Sequence, residues 1–154
     1  MIFNQLFDDK SSTYTYIISS GKGREALIID PVIEHTKKYI KILKDLELKL
    51  VKVIDTHIHA DHISGLNELN KQTECTRIMG EESESEVIDL KVKENEKVKI
   101  EGVELITLYT PGHTKCSYSY LMNDRVFTGD TLLINGSGRT DFQGGSAMEQ
   151  YDSI

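Results

Sequence analysis

The run Asp55-Thr56-His57-Ile58-His59-Ala60-Asp61-His62 constrains this chain more than any other part of it. Three imidazoles and a carboxylate fall within positions 57–62, directly behind the apolar stretch 50–55 and ahead of Ser64-Gly65. In folds of alternating strands and helices, ligands gather where strands end at their carboxyl edge. Solvation does not require so dense a cluster, and a core would penalise it. Histidine is the commonest metal-ligating side chain. The run therefore reads as a metal site at a strand end. Alternation in His57-Ile58-His59 lets the two rings converge or diverge, and the local turn decides which.

Two further strand ends add donors. The stretch 103–109 reads as a strand and runs into Thr110-Pro111-Gly112-His113-Thr114. The stretch 125–128 reads as a strand that closes on Phe127-Thr128-Gly129-Asp130. Alone, His113 is an ordinary strand-end histidine, and Asp130 an ordinary turn or helix-cap carboxylate. Beside the first cluster, three strand ends deliver His, His and Asp.

The rest of the chain is an α/β pattern. Residues 2–7, 13–19 and 25–30 read as strands. Ile40, Leu43 and Leu46 recur three apart with Lys37, Lys38, Lys41 and Lys44 between them, which predicts an amphipathic helix over 34–48 with a solvated basic face. With the strand at 50–55 this makes a βαβ unit. A short helix is expected over 65–73, a solvated acidic segment at 81–86, and two strands at 98–100 and 103–109. A hairpin over 118–128 turns at Asn123-Asp124, and a helix begins at Ser146.

The 154 residues suggest one domain, spanning 1–154. Hydrophobic content of 38% and charged content of 28% are those of a globular chain. A net charge of −7 argues against nucleic acid and anionic membrane surfaces as partners. No apolar run approaches the roughly 18 residues of a membrane helix. The start lacks a signal peptide, and the expected location is cytoplasmic. Cys75 and Cys116 read as small buried apolar side chains. For Cys116, three residues after His113, a place beside the metal stays open.

The pattern His57-x-His59-x-Asp61-His62, then His113 in Thr-Pro-Gly-His and Asp130 in Thr-Gly-Asp, resembles the metallo-β-lactamase superfamily. That resemblance implies an αββα sandwich with metal between the sheet ends. Four further segments resemble the persulfide dioxygenases, relatives of glyoxalase II. They are Leu6-Phe7-Asp8 through Ser11-Ser12-Thr13-Tyr14-Thr15-Tyr16, Ile29-Asp30-Pro31-Val32, the stretch 56–65, and Gly138-Arg139-Thr140-Asp141-Phe142-Gln143. The last discriminates best, since it lies outside the shared metal motif.

The resemblance implies that His57, His113 and Asp130 hold one Fe(II), and that the reaction oxidises glutathione persulfide with O2 to sulfite and glutathione. Two His and one carboxylate leave open positions, the arrangement of non-haem iron oxygenases. His59, Asp61 and His62 are then an outer support or a second metal site. Arg139 has several readings: it binds a glutathione carboxylate, it braces the loop near the metal, or it pairs structurally with Asp141 or a backbone carbonyl.

Members of that family are longer. Their second half carries a late His and glutathione-holding residues, so this chain corresponds to the N-terminal half to two-thirds of the sandwich, incomplete at its C-terminus. The expectations are weak or no turnover and a homodimer that covers the exposed sheet. Two alternatives stand. One is a glyoxalase II-type thioester hydrolase with Zn(II), using His57, His59 and His113 at one metal and Asp61, His62 and Asp130 at the other. The other is an inactive remnant.

Overall fold

The alternating stretch Thr13-Tyr14-Thr15-Tyr16 turns every second side chain inward, and it forms strand β2 (Thr13–Ser19). Its partner β1 (Ile2–Asp8) is antiparallel, with Ile2 opposite Ser19 and Asp8 opposite Thr13. The computed structural model describes residues 1–154. β3 (Glu25–Ile29) pairs antiparallel with β2 and parallel with β4 (Lys49–Ile54), in a register that shifts after Ala26. Helix α1 (Thr36–Asp45) lies between β3 and β4 in the chain, so the expected βαβ unit is present.

α1 differs from the sequence expectation in both extent and buried stripe. A 3₁₀ turn occupies Ile33–His35, and the helix proper starts at Thr36. The buried residues are Thr36, Tyr39 and Leu43, while Ile40 and Leu46 stay half-buried and the four lysines face out. The end is set by the backbone. Glu47 takes a left-handed conformation (φ 57), and the Leu48 N–H reaches back to the Leu43 carbonyl at 2.7 Å.

Helix α2 (Leu66–Thr73) follows the histidine run, and β5 (Thr76–Gly80) pairs parallel with β4. β6 (Leu90–Val92), β7 (Lys97–Ile100), β8 (Val103–Tyr109), β9 (Tyr118–Leu121), β10 (Val126–Phe127) and α3 (Ala147–Ser153) complete the chain. Sheet orders are β1-β2-β3-β4-β5-β6 and β10-β9-β8-β7. The sequence pattern did not announce β5 or β6. β5 is five residues with three consecutive buried ones, and β6 is three residues with one buried, so neither offers a period to read.

The residues fall into two compact units. The first is Met1–Asp55, His59–Ile78 and Lys99–Val103. Its core is the fully buried Ile17, Leu27, Ile28, Val53, Ile54 and Leu69. The second is Thr56–Ile58, Met79–Val98 and Glu104–Ile154. It buries Leu105, Tyr118, Tyr120 and Phe127, along with Cys116. No helix is long and apolar enough to cross a membrane.

Candidate metal centre

His57, His113 and Asp130 all belong to the second unit. The short segment Thr56–Ile58 is held from both sides. The Tyr118 N–H donates to the Thr56 carbonyl at 2.9 Å, and the Ile58 N–H donates to Cys116 Sγ at 3.4 Å. Cys116 thus meets the chain next to His57 as a buried hydrogen-bond acceptor. His57 itself is buried, with Nδ1 2.9 Å from the Thr56 hydroxyl.

His113 sits in the turn after β8, where Gly112 adopts φ 135 and the Ser117 N–H closes onto the Thr114 carbonyl. Its Nδ1 lies 2.7 Å from the Arg139 carbonyl oxygen. A carbonyl only accepts, so the neutral ring carries its proton on Nδ1 and its lone pair on Nε2. Asp130 follows β10 in a turn closed by the Thr131 N–H on the Thr128 carbonyl. Its own carbonyl accepts from the Gly138 N–H at 2.7 Å.

These contacts bring three donors to one point. Asp130 Oδ2 lies 3.4 Å from His113 Nε2 and 4.0 Å from His57 Nε2. The two rings meet edge to face, with centroids 4.9 Å apart. All three ligand atoms fall within 4.8 Å of one another. A metal bound at about 2.1 Å would put its donors about 3.0 Å apart if octahedral and about 3.4 Å apart if tetrahedral. The spacing fits, with a small inward swing of the Asp130 carboxylate, whose side chain is 44% exposed.

A second polar cluster belongs to the first unit. His59, Asp61 and His62 also offer ligand atoms within 4.8 Å, as do Asp30, Asp55 and His59. Thr13 Oγ1 donates to Asp61 Oδ2 at 3.0 Å and lies 3.2 Å from His62 Nδ1. His62 Nδ1 is itself 3.0 Å from Asp61 Oδ2, while His62 Nε2 is buried without a hydrogen-bond partner. His59 Nε2 lies 3.2 Å from Asp30 Oδ1. Burial alone would lower the pKa of His59, but the bond to Asp30 and the charges of Asp30, Asp55 and Asp61 raise it to about 9. Burial pushes Asp55 up to about 7, and the Asp30 charge adds to this against His59, Ser64 and His62. Burial also acts to raise Asp61, yet the His62 bond and the charges of His62 and His59 hold it below the usual carboxylate range.

The Arg139 guanidinium donates to both Asp141 carboxylate oxygens, at 2.8 and 3.0 Å, and lies over the Phe142 ring. Pattern reading missed Thr13, Asp30 and Asp55 as members of the second cluster. The available signal was a carboxylate closing each of two apolar strands, at Asp30 and Asp55. His35 is about one-third exposed and binds Asp8 Oδ1 through Nε2 at 2.8 Å.

The metallo-β-lactamase superfamily model matches residues 8–154. Persulfide dioxygenase ETHE1 of Mus musculus is 38% identical over the whole chain. The crystal structure of ETHE1 from Myxococcus xanthus superposes with a TM-score of 0.96 at 45% identity, covering 99% of this chain and 68% of that one. The chain belongs to the metallo-β-lactamase superfamily. The expected family and fold class are therefore those found. Hydroxyacylglutathione hydrolase of Dictyostelium discoideum is also similar, at 33% identity over 92% of this chain and 55% of its own length. The chain spans 61% of the length of the mouse ETHE1.

Proposed function

We propose that this chain carries the metal centre of a persulfide dioxygenase that oxidises glutathione persulfide with O2. One Fe(II) would be held by His57, His113 and Asp130. The observation that carries this reading is the convergence of two imidazoles and one carboxylate, whose ligand atoms lie within 4.8 Å of one another. Such a set leaves several positions of an octahedral ion open. Ferrous iron there supplies room for a soft sulfur anion and the redox chemistry that joins dioxygen to it.

The chain's own residues prepare that centre. The Arg139 carbonyl keeps the His113 lone pair on Nε2. The Thr56 hydroxyl restrains the His57 ring at Nδ1. The Asp130 side chain is 44% exposed, so solvent reaches it. His59, Asp61 and His62 form a network of their own with Asp30 and Thr13, which already engage them. Arg139 is the candidate for a glutathione carboxylate, which would take the place of Asp141 on a guanidinium that is 64% exposed.

One observation favours a second reading, a two-metal thioester hydrolase. His62 Nε2 is buried without a hydrogen-bond partner beside Asp61 and His59, and a second metal would supply one. Two findings favour the first reading: the higher identity to the dioxygenases and the commitment of His59 Nε2 to Asp30.

Oxygen uptake after anaerobic Fe(II) loading tests the proposal. Uptake that depends on glutathione persulfide and disappears in His113→Ala supports it. Thioester hydrolysis with two zinc ions per chain and no persulfide-dependent uptake replaces it with the second reading.

A further inference from the structure

Two of the three proposed ligands meet the same two residues of the loop after β10, and both meet them through the backbone. The Gly138 N–H donates to the Asp130 carbonyl at 2.7 Å. The next carbonyl, that of Arg139, lies 2.7 Å from His113 Nδ1. One peptide segment thus holds the main chain of one ligand and the ring of another. For this the backbone must lie flat against both residues.

Gly138 is what permits that approach. A Cβ at position 138 would lie 2.4 Å from the Asp130 carbonyl oxygen, 2.7 Å from His113 Nδ1 and 2.9 Å from Asp130 Cβ. None of these atoms is the far end of a flexible side chain. Gly138 does not adopt a left-handed φ, so the requirement for glycine here is room and not conformation. The neighbouring Gly136 differs: a Cβ there would meet nothing within 4 Å, and its φ is also outside the left-handed region. A Cβ at Gly129, just before Asp130, would lie 2.4 Å from Thr56 Oγ1 and 3.2 Å from His57 Nδ1, but its φ of 48 mixes the two causes.

We propose that Gly138 is a positioning residue of the metal centre, whose missing side chain lets the 138–139 backbone clamp Asp130 and fix the His113 ring with Nε2 toward the metal. Any side chain at 138 must push the segment off Asp130, turn the His113 ring, or both. The inference rests on His57, His113 and Asp130 being the ligands, and is independent of the substrate. Outer contacts of this kind change metal affinity by about 10- to 100-fold.

The test is Co(II) binding to the purified metal-free protein, followed by its visible absorption, in the parent, Gly138→Ala and Gly136→Ala. Gly138→Ala is expected to weaken binding about 10- to 100-fold and to alter the cobalt spectrum. Its far-ultraviolet circular dichroism should stay that of the parent, and Gly136→Ala should match the parent throughout. Parent-like affinity and spectrum in Gly138→Ala overturn the proposal. A parent that binds no Co(II) overturns it together with the assignment of the ligands. Should Gly138→Ala fail to fold, long-range ¹H–¹⁵N spectra of the metal-free parent decide. The clamp predicts a neutral His113 protonated on Nδ1, and protonation on Nε2 refutes it.

Discussion

His59 Nε2 and Asp30 Oδ1 lie 3.2 Å apart, and both side chains are buried. The pair ties the histidine run to the end of β3, and it keeps the His59 pKa at about 9 against the effect of burial. A ring held as imidazolium has no lone pair for a metal. We therefore read His59 as engaged with Asp30 and not as a ligand of the centre.

That assignment separates the histidines by the effect of their loss. His59→Gln should weaken metal binding by no more than about 100-fold, the range of outer contacts. His57→Ala and Asp130→Ala should each exceed that range. Competition titration against a chelator of known affinity measures both, and equal losses in all three variants would place His59 among the ligands.

Acid should destabilise the first unit through Asp8. The Ser11 hydroxyl and N–H and the His35 ring all bond its carboxylate, which holds its pKa well below the ordinary 3.8. A depressed folded pKa gives stability that is complete above the unfolded value and lost as pH falls toward the folded one. Unfolding midpoints should thus drop below about pH 4, and Asp8→Asn should flatten that acid slope. An unchanged slope in Asp8→Asn would show that other carboxylates carry it.

Much of this was legible in the sequence, and the reason lies in chain locality. Strands β2 and β4, the βαβ unit, and the strand ends at His57, His113 and Asp130 all follow from patterns within a few residues. What escaped depends on partners far along the chain. Asp8 meets His35 across 27 residues, and Thr13 meets Asp61 across 48. Gly138 showed no periodicity and no unusual φ, only backbone contact with Asp130 and His113 that the fold alone creates. The second cluster was visible as residues but not as a network, because Asp30 and Asp55 reveal their burial only once β3 and β4 pair.

The turn that presents Asp30 depends on one buried hydroxyl. Thr15 Oγ1 donates to the Asp30 carbonyl, so it accepts from the Tyr39 O–H at 3.0 Å, and the Tyr39 oxygen accepts the Val32 N–H at 3.2 Å. Tyr39→Phe leaves the buried Val32 N–H without this acceptor, which costs about 1–3 kcal/mol. Thermal unfolding should shift down by several degrees, and a shift within error would mean that water replaces the hydroxyl.

Arg139 can be judged by splitting binding from stability. Its pair with Asp141 is mostly exposed and contributes at most about 1 kcal/mol. Arg139→Gln should leave the unfolding midpoint nearly unchanged, while KM for glutathione persulfide rises about tenfold, the effect of about 1.4 kcal/mol of lost binding, with kcat retained. A fall in kcat at constant KM would instead tie Arg139 to the chemical step.

The central claim is a single metal held by His57, His113 and Asp130, and metal content per chain tests it most directly. The parent should carry one iron after anaerobic loading and desalting. His113→Ala should lose it, and His62→Ala should keep it. Two metals per chain in the parent, or one metal that survives His113→Ala and is lost in His62→Ala, would contradict the account.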